Sequence, residues 1–351
     1  MRLRISSSLL HLLFRQTRLA RLASAAGGKR PPLVRDIIKQ VPLVDTILRA
    51  IPRSSIAELP VDFSRLPAFR AEYFPCSGPK PWLDGDDWPR KIEALSADQA
   101  ALCRKWAESG YVILPGLISE SLLDSAWNAY ERAVERGAIA LAPESAGDGD
   151  RLPGRFLNPH KRARSFCRVA KHAALMDCLQ RLLGHPPRLL QTIASHKGSQ
   201  QAPHSDSIHM TTYPLGYLAA AWIAFEDIHG DSGPLEFYPG SHRLPYVFSH
   251  DLQISVEDMK KEGYTTYRER YEPLVRRLIA EHGLRPEYFE GRKGDVLIWH
   301  ANLLHGGSPR RDFRLTRKAL VGHYFAKGAF VYHDLSAVSS RNQYFDGCLV
   351  R

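Results

Sequence analysis

The chain has 351 residues, of which 44% are hydrophobic and 24% charged, values usual for a globular protein. This length fits one β or mixed domain with helical additions. The net charge of +11 suggests a nucleic-acid partner, yet residues 1–35 hold eight basic and no acidic side chains. Residues 36–351 therefore contain 40 basic against 37 acidic residues. We expect no basic face for nucleic acid on this nearly neutral body.

The five cysteines show no CxxC pair and no regular spacing, which is typical of reduced thiols in an intracellular protein. No apolar run approaches the roughly 18 residues that a membrane-spanning helix needs. Residues 1–35 form a basic leader whose short apolar stretch, 9–14, is followed by arginines, unlike a secretory signal. We expect a cytoplasmic protein, with the mitochondrial matrix as the alternative in a eukaryote.

Proline is frequent and periodicity is weak before residue 96, which predicts a Pro-rich extended arm at 36–95 that wraps the domain. Residues 96–335 are predicted to form the domain itself. Residues 336–351 are predicted to be a C-terminal tail.

The start of the domain carries clear helix signals. Ser96 and Gln99 resemble a capping box that begins a helix, and Gly110 should end it. The residues after Gly110 have strand character, and Ser119 or Ser121 is suited to cap the helix that follows.

From about residue 188, short apolar runs alternate with turn signals, which predicts a β-sandwich or barrel. The predicted strands lie at 189–193, 217–225, 235–238, 296–299 and 319–325. Residues 255–283 are instead charged and helical in pattern. We predict a helical insert at 244–293 that covers one mouth of the barrel.

Two histidines and one aspartate are selected by their spacing. On a strand, His204 and Asp206 would point to the same face because they are two residues apart. His305 follows 101 residues after His204, just beyond a predicted strand and before a Gly-Gly pair predicted to turn the chain. Two histidines and a carboxylate that leave coordination positions open are the facial triad of non-haem Fe(II) oxygenases. His300, five residues before His305, is interpreted as a core or supporting residue, and His242 as part of a turn.

Six collinear segments give this pattern its context, because together they resemble the phytanoyl-CoA dioxygenase family over roughly residues 105–327. The segments are Gly110–Gly116, Trp222–Asp227, Ser232–Leu235 with Pro239–Arg243, Gly294–Trp299, His305–Ser308 and Arg317–Leu320. The resemblance implies a mainly β fold with flanking helices, a double-stranded β-helix of the jelly-roll or cupin type.

The resemblance also implies roles for individual residues. His204, Asp206 and His305 match the iron ligands. Arg317 matches the arginine that pairs with the distal carboxylate of 2-oxoglutarate, a task that suits a planar guanidinium fork. Trp222 matches a position that lines the co-substrate pocket.

Other residues near these positions are left open. Arg314 competes with Arg317 for the co-substrate carboxylate, whereas Arg310 and Arg311 are interpreted as exposed surface charges. Ser308 offers a hydroxyl to the co-substrate, although the family more often carries it one residue earlier. Gln191, on the strand before His204, is expected to face substrate or co-substrate.

The implied reaction uses Fe(II), 2-oxoglutarate and O2, releases succinate and CO2, and hydroxylates a small-molecule or acyl substrate. Ascorbate is expected to be supportive. Two other classes of protein stay open: a zinc-dependent hydrolase, since the same ligands suit Zn(II), and a non-catalytic binding module. The sequence does not select the substrate, because substrate contacts come from variable loops.

Overall fold

The computed structural model describes residues 80–139, 155–335, 343–345 and 348–350. The leader (1–35) and most of the arm (36–95) lie outside these residues. The α-helices are α1 (Trp88–Lys91), α2 (Ala97–Ser109), α3 (Glu120–Glu135), α4 (Arg164–Ala170), α5 (Ala173–Leu183), α6 (Val256–Glu262) and α7 (Thr265–Glu281).

The helix and strand signals predicted for residues 96–121 are confirmed in their main features. Ser96 is the N-cap of α2, where its side chain accepts a hydrogen bond from the backbone N–H of Gln99. Gly110 ends the helix with a φ of 78°, a left-handed conformation that glycine adopts without steric cost. Ser119 precedes α3 in extended conformation, but its side chain makes no capping hydrogen bond.

The strands are β1 (Tyr111–Leu114), β2 (Arg155–Leu157), β3 (Pro187–Ser195), β4 (Met210–Tyr213), β5 (Leu218–Ala224), β6 (Leu235–Phe237), β7 (Glu287–Phe289), β8 (Val296–His300), β9 (His305–Gly307), β10 (Ala319–Ala326), β11 (Phe330–His333), β12 (Gln343–Phe345) and β13 (Cys348–Val350). All five predicted runs are strands. The strands β1 to β13 form antiparallel sheets in the orders β1-β8-β5-β10-β3-β2, β13-β12-β11-β4 and β7-β6-β9.

The six-stranded sheet separates two hydrophobic cores. Alternate side chains of a strand point to opposite faces. In β5, one face carries Ala220, Trp222 and Ala224, and the other carries Ala219, Ala221 and Ile223. The first set packs against the three-stranded sheet in the barrel interior, and the second packs against helices α2–α5. Two sheets facing each other with helices outside are the predicted double-stranded β-helix.

The helical insertion is also confirmed. Helix α6 begins with a capping box between Ser255 and Asp258, and α7 follows immediately. Helix α7 buries Tyr267, Tyr271 and Val275, three side chains at helical spacing, in a cluster with Ile208 and Leu304. The insertion therefore packs on the chain segments that carry the predicted metal ligands.

The segment boundaries at 35, 95 and 335 stay predictions, and two described parts differ from the expected conformation. Within the arm, residues 88–91 form α1 rather than extended chain. Within the predicted tail, β12 and β13 pair with each other and β12 pairs with β11. Both strands consist largely of β-favouring residues and flank an Asp-Gly dipeptide, a strong hairpin signal.

No helix among the described residues is long and apolar enough to cross a membrane.

Candidate active site

His204 and His305 are brought together by their own backbones. They form an isolated antiparallel bridge, with His204 N donating to His305 O at 2.8 Å and His305 N donating to His204 O at 2.9 Å. Asp206 does not lie on a strand with His204, as the sequence suggested, but begins the 3-10 helix Asp206–Ile208. That turn, rather than strand alternation, directs the carboxylate to the two imidazoles.

The glycines after His305 serve a close backbone approach rather than the predicted turn. Gly306 and Gly307 lie in β9 and pair with β6. A Cβ on Gly306 would lie 2.7 Å from the carbonyl oxygen of Gln201, and one on Gly307 would lie 2.8 Å from the backbone nitrogen of Gln200. Any larger side chain would push the loop before His204 away from β9.

The three predicted ligands offer donor atoms that all lie within 4.8 Å of one another, and all three residues are buried. Each imidazole is oriented from its far side, because Nδ1 of His204 lies 2.9 Å from Ala202 O and Nδ1 of His305 lies 2.9 Å from Leu303 O. A proton on Nδ1 leaves the lone pair of Nε2 free, and this tautomer binds a metal through Nε2. The Gln201 amide nitrogen lies 3.2 Å from His204 Nε2.

Electrostatics favour the ligating protonation states. Burial lowers the pKa of His204 well below its usual range, with further lowering from His305 and His209. Burial likewise lowers the pKa of His305. Burial alone would raise the pKa of Asp206, but the facing imidazoles of His323 and His305 outweigh it, and the net pKa is lowered. Neutral histidines and an ionised carboxylate are the donors that a divalent metal requires.

Arg317 lies in the same interior as the triad. Its side chain is 4% exposed, its Nη1 donates to Gly233 O at 2.7 Å, and its guanidinium carbon lies 5.7 Å from the centre of the Trp222 ring. The buried Nε has no hydrogen-bond partner among the described residues. Burial lowers the pKa of Arg317 to about 9, helped by Arg155 and Arg310. A buried guanidinium with this N–H still to be satisfied suits a carboxylate.

Arg314 is placed differently. Its side chain is 90% exposed and binds Asp312 through two nitrogens, at 3.0 and 2.8 Å. This pair faces solvent and is occupied within the chain. The structure therefore favours Arg317 over Arg314 as the residue available to a buried carboxylate.

Two further arginines were missed or misjudged from the sequence. Arg310, interpreted there as exposed, is 9% exposed and donates to Phe313 O; Arg311 is indeed exposed. Arg155 pairs in register with Ser195, which pairs with Ala319, two residues after Arg317. Paired residues share a face of the sheet, so Arg155 faces the interior beside Arg317.

The remaining predicted residues have mixed placements. Ser308 is buried, but its hydroxyl donates to Pro234 O at 2.9 Å. Gln191 faces the interior, where its amide nitrogen lies 3.4 Å from His323 Nδ1 and 3.7 Å from Met210 Sδ. His300 lies outside the triad, with Nε2 3.5 Å from Asp84 Oδ2.

Aromatic side chains of the helical insertion lie close to the triad and pack around His209. His209 lies 5.4 Å from His204 between ring centres, and its other neighbours are Tyr264 at 6.2 Å and Tyr267 at 5.4 Å. Tyr271 reaches the motif itself, because its hydroxyl accepts from Ser205 N at 3.0 Å. The sequence identified the insertion but not these contacts, which require the tertiary arrangement.

A two-histidine, one-carboxylate cluster with open positions is the ligand arrangement of non-haem Fe(II) oxygenases, and here it lies in a jelly-roll interior with a buried arginine. The chain belongs to the phytanoyl-CoA dioxygenase (PhyH) family, whose family model matches residues 106–318. The predicted resemblance is thus confirmed.

Individual relatives agree with this assignment. The chain is 30% identical over 158 residues to the ectoine dioxygenase of Halomonas elongata, across 42% of this chain and 46% of that protein. It is 38% identical over 80 residues to the phytanoyl-CoA dioxygenase domain-containing protein 1 of Bos taurus, across 21% and 28%. The chain spans less than half the length of each of these two curated relatives.

Solved structures support the fold. EctD from S. alaskensis, crystallised with 2-oxoglutarate and 5-hydroxyectoine, matches with a TM-score of 0.51 at 20% identity, covering 73% of this chain and 86% of EctD. The non-heme alpha ketoglutarate dependent carbocyclase SnoK from nogalamycin biosynthesis matches with a TM-score of 0.51 at 19% identity, covering 70% and 88%. The fold is therefore the cupin-like double-stranded β-helix.

Proposed function

We propose that this protein is a non-haem Fe(II)- and 2-oxoglutarate-dependent dioxygenase that hydroxylates a small-molecule or acyl substrate. The observation that carries the proposal is the buried cluster of His204, Asp206 and His305, whose donor atoms lie within 4.8 Å of one another. Family membership over residues 106–318 supports it.

The donor set fits Fe(II). Two neutral imidazoles and one carboxylate leave positions open for a co-substrate, as non-haem Fe(II) oxygenases require. When bound, iron with 2-oxoglutarate and O2 would supply the oxidising chemistry, with release of succinate and CO2. The chain's own residues hold and orient the reactants and exclude bulk water.

Arg317 is proposed to bind the distal carboxylate of 2-oxoglutarate. Its Nε lacks a partner among the described residues, so an entering carboxylate would gain charge-assisted hydrogen bonds without breaking one. Trp222, 1% exposed beside Arg317, would pack against the carbon chain of the co-substrate. Arg155 adds positive charge from β2, which is separated from β10 by β3.

Two predicted helpers have smaller parts in this proposal. The hydroxyl proton of Ser308 is held by Pro234 O, so Ser308 is left only as an acceptor and as a support for the turn beside Gly233. Gln191 lies next to His323 rather than Arg317, which favours a supporting task over a co-substrate contact.

A zinc-dependent hydrolase is the second candidate function, because the same three ligands suit Zn(II). It would leave the buried guanidinium of Arg317 without a task, and it would not consume 2-oxoglutarate. A non-catalytic binding module on the same fold is the third, and the intact ligand set and Arg317 count against it.

The test is a screen for succinate release over a library of small metabolites and acyl compounds, with Fe(II), 2-oxoglutarate and ascorbate in air. We expect at least one compound to raise succinate release in a way that requires O2 and is lost in Asp206→Ala. Zinc-supported turnover without 2-oxoglutarate or O2 would instead identify a hydrolase.

We also propose a cytoplasmic location, with the mitochondrial matrix as the alternative for a eukaryotic host, and no nucleic-acid partner. Both follow from the leader composition and the nearly neutral remainder of the chain. A fluorescent fusion with and without residues 1–35 distinguishes the two compartments.

A further inference from the structure

One row of side chains runs across the interior face of the six-stranded sheet next to the triad. In register, Gln191 of β3 pairs with His323 of β10, His323 pairs with Ala220 of β5, and Ala220 pairs with Trp299 of β8. Paired residues of neighbouring antiparallel strands project from the same face. The four side chains therefore stand side by side, with a methyl group in the place between His323 and Trp299.

The carboxylate of Asp206 meets the two large members of this row. Trp299 Nε1 donates to Asp206 Oδ2 at 2.9 Å, and His323 Nε2 lies 3.4 Å from Asp206 Oδ1. All three residues are 5% exposed or less. Each oxygen of the carboxylate thus faces a different donor, one on each side of Ala220.

We propose that Trp299 and His323 are positioning residues that fix the metal-ligating carboxylate of Asp206, and that Ala220 provides the space it enters. This inference rests on the proposed function. The two oxygens are not equivalent: Oδ2 is taken by the indole, whereas Oδ1 lies 3.7 Å from His305 Nε2, on the side of the other ligands. Trp299 therefore leaves Oδ1, whose contact with His323 is longer at 3.4 Å and which keeps a second lone pair, as the oxygen that a bound metal would meet.

Gln191 completes the arrangement. Its amide nitrogen lies 3.4 Å from His323 Nδ1, so it donates to that nitrogen. With Nδ1 as the acceptor, the N–H of His323 lies on Nε2, the atom directed at Asp206. The Gln191 amide, the His323 imidazole and the Asp206 carboxylate therefore form a chain of hydrogen bonds. Hydrogen bonds of this kind behind a metal ligand fix its orientation.

Trp299 also contacts a second ligand, because its ring centre lies 4.7 Å from that of His305. A tryptophan in a barrel interior is ordinarily core packing, so the test has to separate the N–H group from the apolar bulk. Trp299→Phe does this, since phenylalanine keeps an aromatic ring and lacks the donor. His323→Phe does the same for the other oxygen.

The chain offers a matched control in Trp127. It is 4% exposed, against 2% for Trp299, and its Nε1 also donates to a carboxylate, Glu131 Oε1 at 2.7 Å. Glu131 belongs to α3 and is not among the proposed ligands. Trp127→Phe thus removes the same kind of hydrogen bond from a carboxylate that binds no metal.

The experiment is an anaerobic titration of the full-length protein with Co(II), a spectroscopic substitute that N/O sites bind somewhat more tightly than Fe(II). We expect the Co(II) dissociation constant to rise roughly ten- to a hundredfold in Trp299→Phe and in His323→Phe, the range for lost outer hydrogen bonds. The visible Co(II) spectrum should change in both. Trp127→Phe should stay within about threefold of wild type, and urea unfolding checks that all variants are folded.

Wild-type affinity and spectrum in folded Trp299→Phe and His323→Phe would overturn the inference and leave the proposed function standing. Equal weakening in Trp127→Phe would also overturn it, because the effect would then be general loss of stability. If Trp299→Phe does not fold, His323→Phe decides. Failure of the wild-type protein to bind Co(II) or Fe(II) would instead contradict the proposed function.

Discussion

His204 and His305 are joined by two reciprocal backbone hydrogen bonds, 2.8 and 2.9 Å long, although they lie 101 positions apart in the sequence. The two backbones that carry the imidazoles are therefore held together by main-chain pairing. Their Nδ1 atoms are held by the carbonyls of Ala202 and Leu303. Such preorganisation means that the metal enters a site whose ligands already point inward.

Substitution of a proposed metal ligand should abolish iron binding, whereas substitution of a histidine outside the triad should not. His204→Ala, Asp206→Ala and His305→Ala should each lose most of their bound Fe(II) and all substrate-linked 2-oxoglutarate turnover. His300→Ala is the control, because His300 lies against Asp84, outside the triad. Metal content after desalting and succinate release are the measurements. Iron retained in His305→Ala and lost in His300→Ala would reverse the choice of ligand.

Arg317→Lys should weaken 2-oxoglutarate binding without changing iron binding. Lysine keeps the charge but lacks the two-pronged fork, and a hydrogen bond to a charged group contributes about 1.5–3 kcal/mol. The apparent affinity for 2-oxoglutarate should therefore fall roughly ten- to a hundredfold.

Arg314→Lys is the matched control, and it should be nearly silent because Arg314 is exposed and paired with Asp312. Titration of 2-oxoglutarate into the Fe(II) protein compares the two variants. A silent Arg317→Lys beside a damaged Arg314→Lys would move the role to Arg314.

Tyr271→Phe should loosen the link between the helical insertion and the metal loop. The Tyr271 hydroxyl accepts from Ser205 N at 3.0 Å and lies 3.3 Å from Ser205 Oγ. Its loss leaves a buried N–H without a partner among the described residues, which costs about 1–3 kcal/mol. Urea denaturation should show a loss of that size. An unchanged free energy of unfolding would mean that water replaces the hydroxyl at no cost.

Residues 1–27 should be dispensable for folding and catalysis, because their composition fits a targeting or terminal segment better than a packed element. A variant that begins at Lys29 should keep the unfolding temperature and the turnover of the full chain. Precipitation, or a clear fall in thermal stability, would show that this segment docks on the domain.

The sequence predicted what depends on local pattern and the family motif. Strand positions followed from short apolar runs, and His204 and His305 from their segments. It did not predict His323, Trp299 or Arg155 as neighbours of the site, because their meeting depends on the register between strands far apart in the chain.

A partial signal for one of these residues was present. His323 lies four residues after Ala319 in β10, an even number, so the two share a face, and Arg317 comes just before this strand. The expectation for Asp206 was wrong in its local structure because a 3-10 turn replaced the strand. For Arg310, proximity to a loop suggested exposure, whereas packing against Phe313 and the loop before His204 buries it.

The most direct test of the central claim is the visible charge-transfer band of the anaerobic Fe(II) complex with 2-oxoglutarate. Chelation of iron by the 2-oxo acid at His204, Asp206 and His305 should give a band that grows with 2-oxoglutarate to a one-to-one endpoint. It should be absent from Asp206→Ala and need more 2-oxoglutarate in Arg317→Lys. An iron-loaded wild-type protein that develops no band with saturating 2-oxoglutarate would contradict the dioxygenase assignment.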